Sequence, residues 1–473
     1  MVFSSTIFIF CFLPLVLAGY FLLRSIRSRN TWLLAVSLIF YFWGGASFFP
    51  IILYSIILNY TGGRVLGALQ NTGRERLRKF SFTIFVVLNL LNLGYWKYTK
   101  FMMQTICDVT GFSLTIPDIV LPIGISFFTF QGMSYVIDVY RGDVPVQKNI
   151  LKVGLYIALF PQLIAGPIVR YSDIEKQLDE RTHSVDDFAS GIRLFTIGLA
   201  KKAILANSAA ITADAVFGMH AYQNEPAVAW TGLLCYWIQI YFDFAGYSDM
   251  AIGLGRMFGF TFPKNFDYPF ISCSASELWR RWHISLSTWF KDYVYIPLGG
   301  SRKGNAYLHL LCVFLLTGLW HGASWNYVMW GAFWGVLIVM QRWITRKVKI
   351  PFSVPKMISW AFTMFLWLLS LVVFRTESLY ECVQYFRSMF GVLPLQDVGF
   401  SLPYYIHKYE IFIIVSGMTA MMPLGKLVYL WLQKKMPEAA FTVLENTGAL
   451  VLFGISALYV VTGTYNPFIY FQF

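Results

Sequence analysis

LLTGLWHGASWNYVMWG, residues 315 to 331, decides how the rest of the chain is read. It lies inside a long apolar window, 304 to 341, yet places His321 between Trp320 and Gly322. An ionisable ring is expensive to keep away from water, so either the window is no membrane segment or the ring has a reason to be there. Composition decides between these. Of 473 residues, 57% are hydrophobic and 13% charged, against roughly 25% charged in soluble domains. Too few polar side chains remain to cover a globular surface in water.

Windows of about 20 mostly apolar residues are long enough to cross the hydrocarbon core. They recur at 5–23, 32–60, 80–96, 117–137, 151–168, 188–206, 227–247, 304–341, 357–374, 409–431 and 445–462. They predict an all-α, polytopic integral membrane protein with about ten to thirteen spanning or re-entrant helices. The segment 5–23 has no basic leader and no A-x-A-like site, so it is expected to stay as a helix. No internal repeat is evident. One integral domain over 1–473 is the economical organisation, with core blocks at about 120–341 and peripheral helices at 1–100 and 356–473. The net charge of +13 gathers in short loops, with Arg24, Arg27 and Arg29 after the first window and Arg64, Arg74, Arg76, Arg78 and Lys79 after the next hairpin. Basic short loops stay cytoplasmic, which places the N-terminus outside. Scattered in this way the cations form no nucleic-acid face. The six cysteines show no CxxC or Cys/His spacing, so they read as packing residues and no metal site is expected.

Three polar stretches interrupt the apolar pattern: 166–188, 255–270 and 276–304. The first reads as a solvated loop or short surface helix. The third follows a capping box, Ser274 with Glu277, and should be helical until Pro297 and the Gly299-Gly300 pair. Trp282, Leu286, Trp289 and Tyr293 share one stripe beside His283 and Ser287, with Arg280, Arg281 and Lys291 around them. That pattern predicts one interfacial helix of roughly 20 residues.

Among the histidines, His183, His220 and His407 fall in polar surroundings and read as solvated, while His309 reads as a packing residue. His283 and His321 remain. His321 is either a general base kept neutral by burial or a core histidine bonded to a neighbouring carbonyl. Gly318 and Gly322 make a small-xxx-small surface that lets a helix or ligand approach the ring. His283 is either a second catalytic group or an interfacial contact. QIYFDFAGYSDMAIGLG (239–255) buries Asp243 and Asp249 six residues apart, about 240° around a helix. They serve as separate helix anchors or as a proton relay. Ser126, Thr129, Gln131, Ser134 and Asp138 bridge neighbouring helices or line a tunnel. No GxSxG elbow and no HExxH occurs.

Taken together, IAGPIVRYSDI (164–174), QIYFDFAGYSDMAIGLGRMFGF (239–260), PKNFDYPF (263–270), LWRRWHISLSTWFKDYVYIPLGGSRKG (278–304) and LLTGLWHGASWNYVMWG (315–331) resemble the signature blocks of the membrane-bound O-acyltransferase (MBOAT) superfamily. The alginate O-acetylation (AlgI-like) branch is the most similar, and the opening MVFSS and closing NPFIYFQF extend the likeness over nearly the whole chain. The branch that moves D-alanine onto teichoic acid (DltB-like) shares the two WH blocks but not YIPLGGSRKG. One departure is Lys291 where arginine is usual before the Asp.

The resemblance implies an MBOAT-type helical core around a funnel, with His321 at the superfamily's catalytic histidine and His283 at its second one. It implies an acyl donor that is a cytoplasmic thioester, acetyl-CoA or an acyl carrier, used as substrate with no bound cofactor. It also implies an extracytoplasmic SGNH-like O-acetyltransferase as partner, a polysaccharide acceptor reached directly or through that partner, and a multi-pass location in the bacterial cytoplasmic membrane. Candidates for substrate or tunnel contact are Trp320, Asp243, Asp249, Gln239, Ser287, Trp279, Arg280 and Asn265. The expected function is transfer of an acetyl group across the membrane to an exported or cell-surface polysaccharide, with His321 as base. D-alanyl transfer is the nearer alternative, and a proton-coupled transporter is the alternative from another class.

Overall fold

The computed structural model describes residues 2–220, 225–347, 354–392, 401–463 and 465–469. Among these every element is helical. Six helices are long and apolar enough to cross a membrane: Ala46–Leu69, Glu75–Thr110, Val185–Phe217, Trp325–Lys347, Lys356–Arg375 and Glu438–Thr462. Lys408–Ala420 and Leu424–Lys435, bent by 66°, make a seventh if counted as one span, and Phe8–Leu22 and Ala306–His321 are shorter apolar helices. The chain is therefore an all-α, multi-pass membrane protein. The window 304–341 is two helices, Ala306–His321 and Trp325–Lys347, that pack on each other as a hairpin.

The described chain forms two compact units, 1–195 with 250–263, and 196–249 with 264–473. In the first unit the helix Ile125–Arg141 is buried from Ile125 to Val139 and packs on Phe49–Leu69. Its polar residues are helix bridges in part: Ser126 accepts from Lys97 at 3.1 Å and Ser134 meets the Tyr156 hydroxyl at 2.9 Å. The stretch 166–188 departs from its solvated reading, since residues 166–169 and Arg181 are buried. His183 departs with it. Its ring is half-buried and bonds the Tyr20 hydroxyl at 2.8 Å and Arg29 at 3.2 Å. His220 and His407 are exposed, and His309 bonds the Gly300 carbonyl at 2.9 Å.

In the second unit an aromatic core gathers Trp237, Tyr241, Trp282, Trp330, Trp334 and Trp367. Lipid is as apolar as these side chains, so close fit and not water exclusion must hold such helices together. The hairpin shows how close that fit is. A Cβ on Gly318 would stand 2.2 Å from the Tyr327 carbonyl oxygen, and one on Gly331 would stand 2.4 Å from that of Phe314. Both obstacles are backbone and cannot swing aside. Gly318→Ala is accordingly expected to cost about 1–3 kcal/mol through overpacking, visible as a lower thermal midpoint in detergent, whereas an alanine at Gly425, which faces open space, should leave it unchanged.

Two lysines anchor the helix Pro226–Met257. Lys201 and Lys202 open a π-helical turn, Lys201–Ala206, and reach Asp249 and Asp243 at 2.6 Å each. Gly246 lets the two backbones meet, because its Cβ would lie 2.7 Å from the Gly198 carbonyl oxygen. Asp243 also accepts the amide of Ile469 at 2.8 Å, and Lys202 donates to the Pro467 carbonyl, so the chain near 467–469 closes over the buried pair.

Candidate active site

The segment 275–295 is not one interfacial helix. It divides into Ala275–Arg281, Ile284–Phe290 and a π turn, Lys291–Tyr295, and the stripe residues Trp282, Leu286 and Trp289 are buried at 4%, 2% and 3% exposure. The start is as read: the Ser274 hydroxyl accepts the Glu277 amide at 3.2 Å, while Glu277 takes the amide of Cys273 at 3.0 Å. The break falls at Trp282 and His283, where His283 has φ +44°. A non-glycine residue adopts this left-handed backbone only when its surroundings compel it.

Asn265 supplies the compulsion. Its carbonyl oxygen accepts the Ile284 amide at 2.9 Å, and its side-chain Oδ1 accepts the Ser285 amide at 3.3 Å and the Ser285 hydroxyl at 2.9 Å. Its Nδ2 donates to Ser248 at 3.0 Å. A backbone N–H can only donate, so the amide orientation is fixed, and the contact at 3.1 Å from His283 Nδ1 to Oδ1 puts the ring proton on Nδ1. Nε2 then carries the bare lone pair, and it meets no hydrogen-bond partner among the described residues. His283 lies outside the candidate spans, is fully buried, and is held neutral far below the usual imidazole range by desolvation first and by neighbouring His321 second.

His321 is the last residue of Ala306–His321, which Asn305 starts by accepting the amides of Tyr307 and Leu308 and which extended Gly322 ends. It is 4% exposed and stands among Trp320, Trp330 and Phe374, with ring centroids at 5.0, 5.1 and 5.3 Å. The two histidine rings lie 6.5 Å apart, centroid to centroid, and Phe244 packs edge-on against His283 at 4.6 Å. A cavity of about 20 Å³ opens beside His321, walled by Phe244, Trp330, Trp367, Leu371 and Phe374 among others. It has room for one water-sized or methyl-sized group. The indole N–H groups of Trp330 and Trp367 donate to no described residue.

Of the further candidates, Trp320 sits at the pair, 5.6 Å from the His283 ring, and Asn265 positions it. Trp279 packs on Trp330 at 5.4 Å, and its carbonyl accepts the Ser287 hydroxyl at 3.3 Å. Gln239 is buried, and its Oε1 finds no described partner. Asp243 and Asp249 are occupied by lysines, and Arg280 is exposed. Ser248, Ser285 and Phe374 escaped the sequence reading. The hydroxyls of ISLS and YSD were the available signal for the serines, but nothing local marks Phe374, which comes from the helix Lys356–Arg375.

Removing the Asn265 side chain should release both the ring tautomer and the left-handed turn. Asn265→Ala is expected to lower turnover by about tenfold or more, the equivalent of one buried hydrogen bond lost. Asn265→Asp keeps the acceptor for Nδ1 and should recover part of the rate. Equal rates for the two variants would count against this positioning role.

The arrangement suits acyl transfer: two buried imidazoles, apolar walls, and a space the size of a small acyl end. The family model for the membrane-bound O-acyltransferases matches residues 145–382, a range that holds His283, His321 and Asn265. The chain is 38% identical to the "Probable alginate O-acetylase AlgI" of Pseudomonas putida, over the whole of both chains. It is 43% identical to the protein of that name in Pseudomonas aeruginosa, over 83% of this chain and 75% of the relative. A 29% identity to the peptidoglycan O-acetyltransferase of Helicobacter pylori covers all of this chain and 98% of the relative. The chain is an O-acyltransferase enzyme and belongs to the membrane-bound O-acyltransferase family.

Proposed function

We propose that this enzyme takes an acetyl group from a cytoplasmic thioester, acetyl-CoA or an acyl carrier, and delivers it across the bacterial cytoplasmic membrane for O-acetylation of an exported or cell-surface polysaccharide. The acceptor polymer is reached through an extracytoplasmic SGNH-like O-acetyltransferase. The observation that carries the reading is the buried pair His283 and His321, with ring centroids 6.5 Å apart, His321 bordering a methyl-sized cavity. The full-length likeness to an alginate and a peptidoglycan O-acetyltransferase supports both the acetyl group and the class of polymer.

In this mechanism His321 removes the proton from an acceptor hydroxyl as its oxygen bonds to the thioester carbonyl carbon. The carbon–sulfur bond of the resulting adduct breaks, and the departing thiolate takes the proton back from His321. Trp330 and Trp367 offer N–H donors to the acyl oxygen while it carries charge. Water kept out of the apolar walls does not compete for the thioester. The cavity has room for the methyl end of an acetyl group. The test is O-acetyl content of the cell polymer together with thioester consumption by purified protein in vesicles, for wild type and His321→Ala. Solute flux through wild-type vesicles without thioester consumption would instead support a transporter.

A further inference from the structure

A second polar cluster lies in the unit 1–195 with 250–263, and acyl transfer makes no use of it. The apolar helix Phe8–Leu22 ends beside exposed Arg24 and Arg27, residues that belong at headgroup depth. Arg181, only 8% exposed, donates to the Asn30 side chain at 2.7 Å, the Gln177 carbonyl at 2.8 Å and the Tyr20 hydroxyl at 3.4 Å, and lies over Phe260 at 4.1 Å. Arg29 donates to the Leu23 carbonyl at 2.9 Å and to His183 Nδ1 at 3.2 Å. Every one of these partners is neutral.

His183 adds no compensation. Because Arg29 can only donate, Nδ1 is the bare nitrogen and the proton sits on Nε2, where it is given to the Tyr20 oxygen at 2.8 Å. The Tyr20 hydroxyl in turn donates a hydrogen bond to the Phe258 carbonyl at 2.8 Å. Burial, then Arg29 and Arg181, hold His183 below its ordinary pKa and thus neutral. Arg256 is exposed and bonds to no described residue. Of the nearby acids, Asp179 pairs with Lys152, Asp187 accepts the Ser184 hydroxyl at 2.6 Å, and Glu180 and Asp186 are exposed and form no ion pair with these arginines. Among the described residues, then, no carboxylate pairs with Arg29, Arg181 or Arg256. A guanidinium withdrawn from water with only neutral partners is costly and calls for an anion from outside the chain.

Beside this cluster opens a cavity of about 350 Å³, lined by Arg256, His183 and Ser184 together with the apolar Phe21, Phe188 and Met257. The volume is that of a small-molecule site, and the lining is mostly apolar. A soluble anion would leave those aromatic walls unused, whereas an amphiphile would cover them. We propose that this cleft binds a membrane phospholipid with an anionic headgroup, its phosphate against Arg256 in the field of Arg29 and Arg181 and an acyl chain along Phe21, Phe188 and Met257.

The experiment uses the full-length protein purified in detergent and equilibrated with vesicles of phosphatidylcholine containing phosphatidylglycerol, with retained lipid counted by native mass spectrometry. Wild type should retain phosphatidylglycerol over phosphatidylcholine by about fivefold or more. Arg256→Glu, at an exposed side chain that supports no fold contact, should remove the preference without changing the elution profile. Phe188→Trp, which narrows the cavity, should lower retention of both lipids. The proposal is overturned if wild type shows no preference, or if the preference survives both substitutions. It is equally overturned if millimolar inorganic phosphate displaces the lipid completely, because the site would then take a soluble anion.

Discussion

His321→Ala is expected to lower acetyl transfer by about 10²–10⁴-fold, the range that a positioned general base supplies. The protein should still reach the membrane. Folding needs separating from chemistry here, because the ring is 4% exposed and packs on three aromatic side chains. Removing so much buried volume costs about 2–5 kcal/mol in comparable cores. His321→Gln keeps most of that volume and a polar end but cannot shuttle the proton. Both variants should therefore be inactive, while the glutamine variant keeps a thermal midpoint nearer that of wild type. Measured O-acetyl content close to wild type in either variant would remove His321 from the mechanism. His283→Ala is a less clean probe, because alanine at φ +44° is strained even before the ring is missed.

Asp243→Ala is expected to be the most damaging change to stability, at about 3–5 kcal/mol. The side chains of Lys202 and Asp243 are 3% and 2% exposed and meet at 2.6 Å, so deleting the carboxylate leaves a cation with no water to turn to. It also leaves the Ile469 amide without its acceptor. The comparison is Asp249→Ala: Lys201 and Asp249 are 27% and 23% exposed, and that loss should be about 1 kcal/mol or less. Fluorescence-detected size-exclusion after a heat step reads both. Replacing the pair together, Lys202→Met with Asp243→Leu, should restore much of the midpoint, since no orphaned charge remains. A proton relay would behave otherwise, with Asp243→Asn keeping its stability and losing activity.

How much of this was legible depended on whether the cause lay nearby in sequence. Burial cost singles out His321 but leaves a general base and a core histidine equally open, and only the family resemblance chooses between them; the approach of another helix could be read from Gly318, whose lack of a side chain has no other use in an apolar helix. The Ser274 cap could be read because its partner lies within one turn. The break at His283 could not. The apolar pattern runs through it without proline or glycine, and the agent is Asn265, 18 residues earlier, which captures the Ile284 and Ser285 amides. His183 was misread for the same reason. Its sequence neighbours are polar, but its partners Tyr20 and Arg29 lie more than 150 residues away. The charges on Asp243 and Asp249 signalled anchoring, but only the fold supplies Lys202 and Lys201 as the other half.

The helix Ala306–His321 has 16 residues. At 1.5 Å per residue it reaches about 24 Å, some 6 Å short of a typical hydrocarbon core of about 30 Å. A ring at the tip of a helix that starts from one boundary therefore stops below the far surface of the bilayer. Tilting, which shortens a helix's reach along the membrane normal, can only deepen that position. Under the proposed chemistry, a hydroxyl arriving from the opposite side would have to descend through this shortfall to meet His321. On that proposal helix length would act as a ruler, setting how far an acceptor must leave water before the imidazole could take its proton.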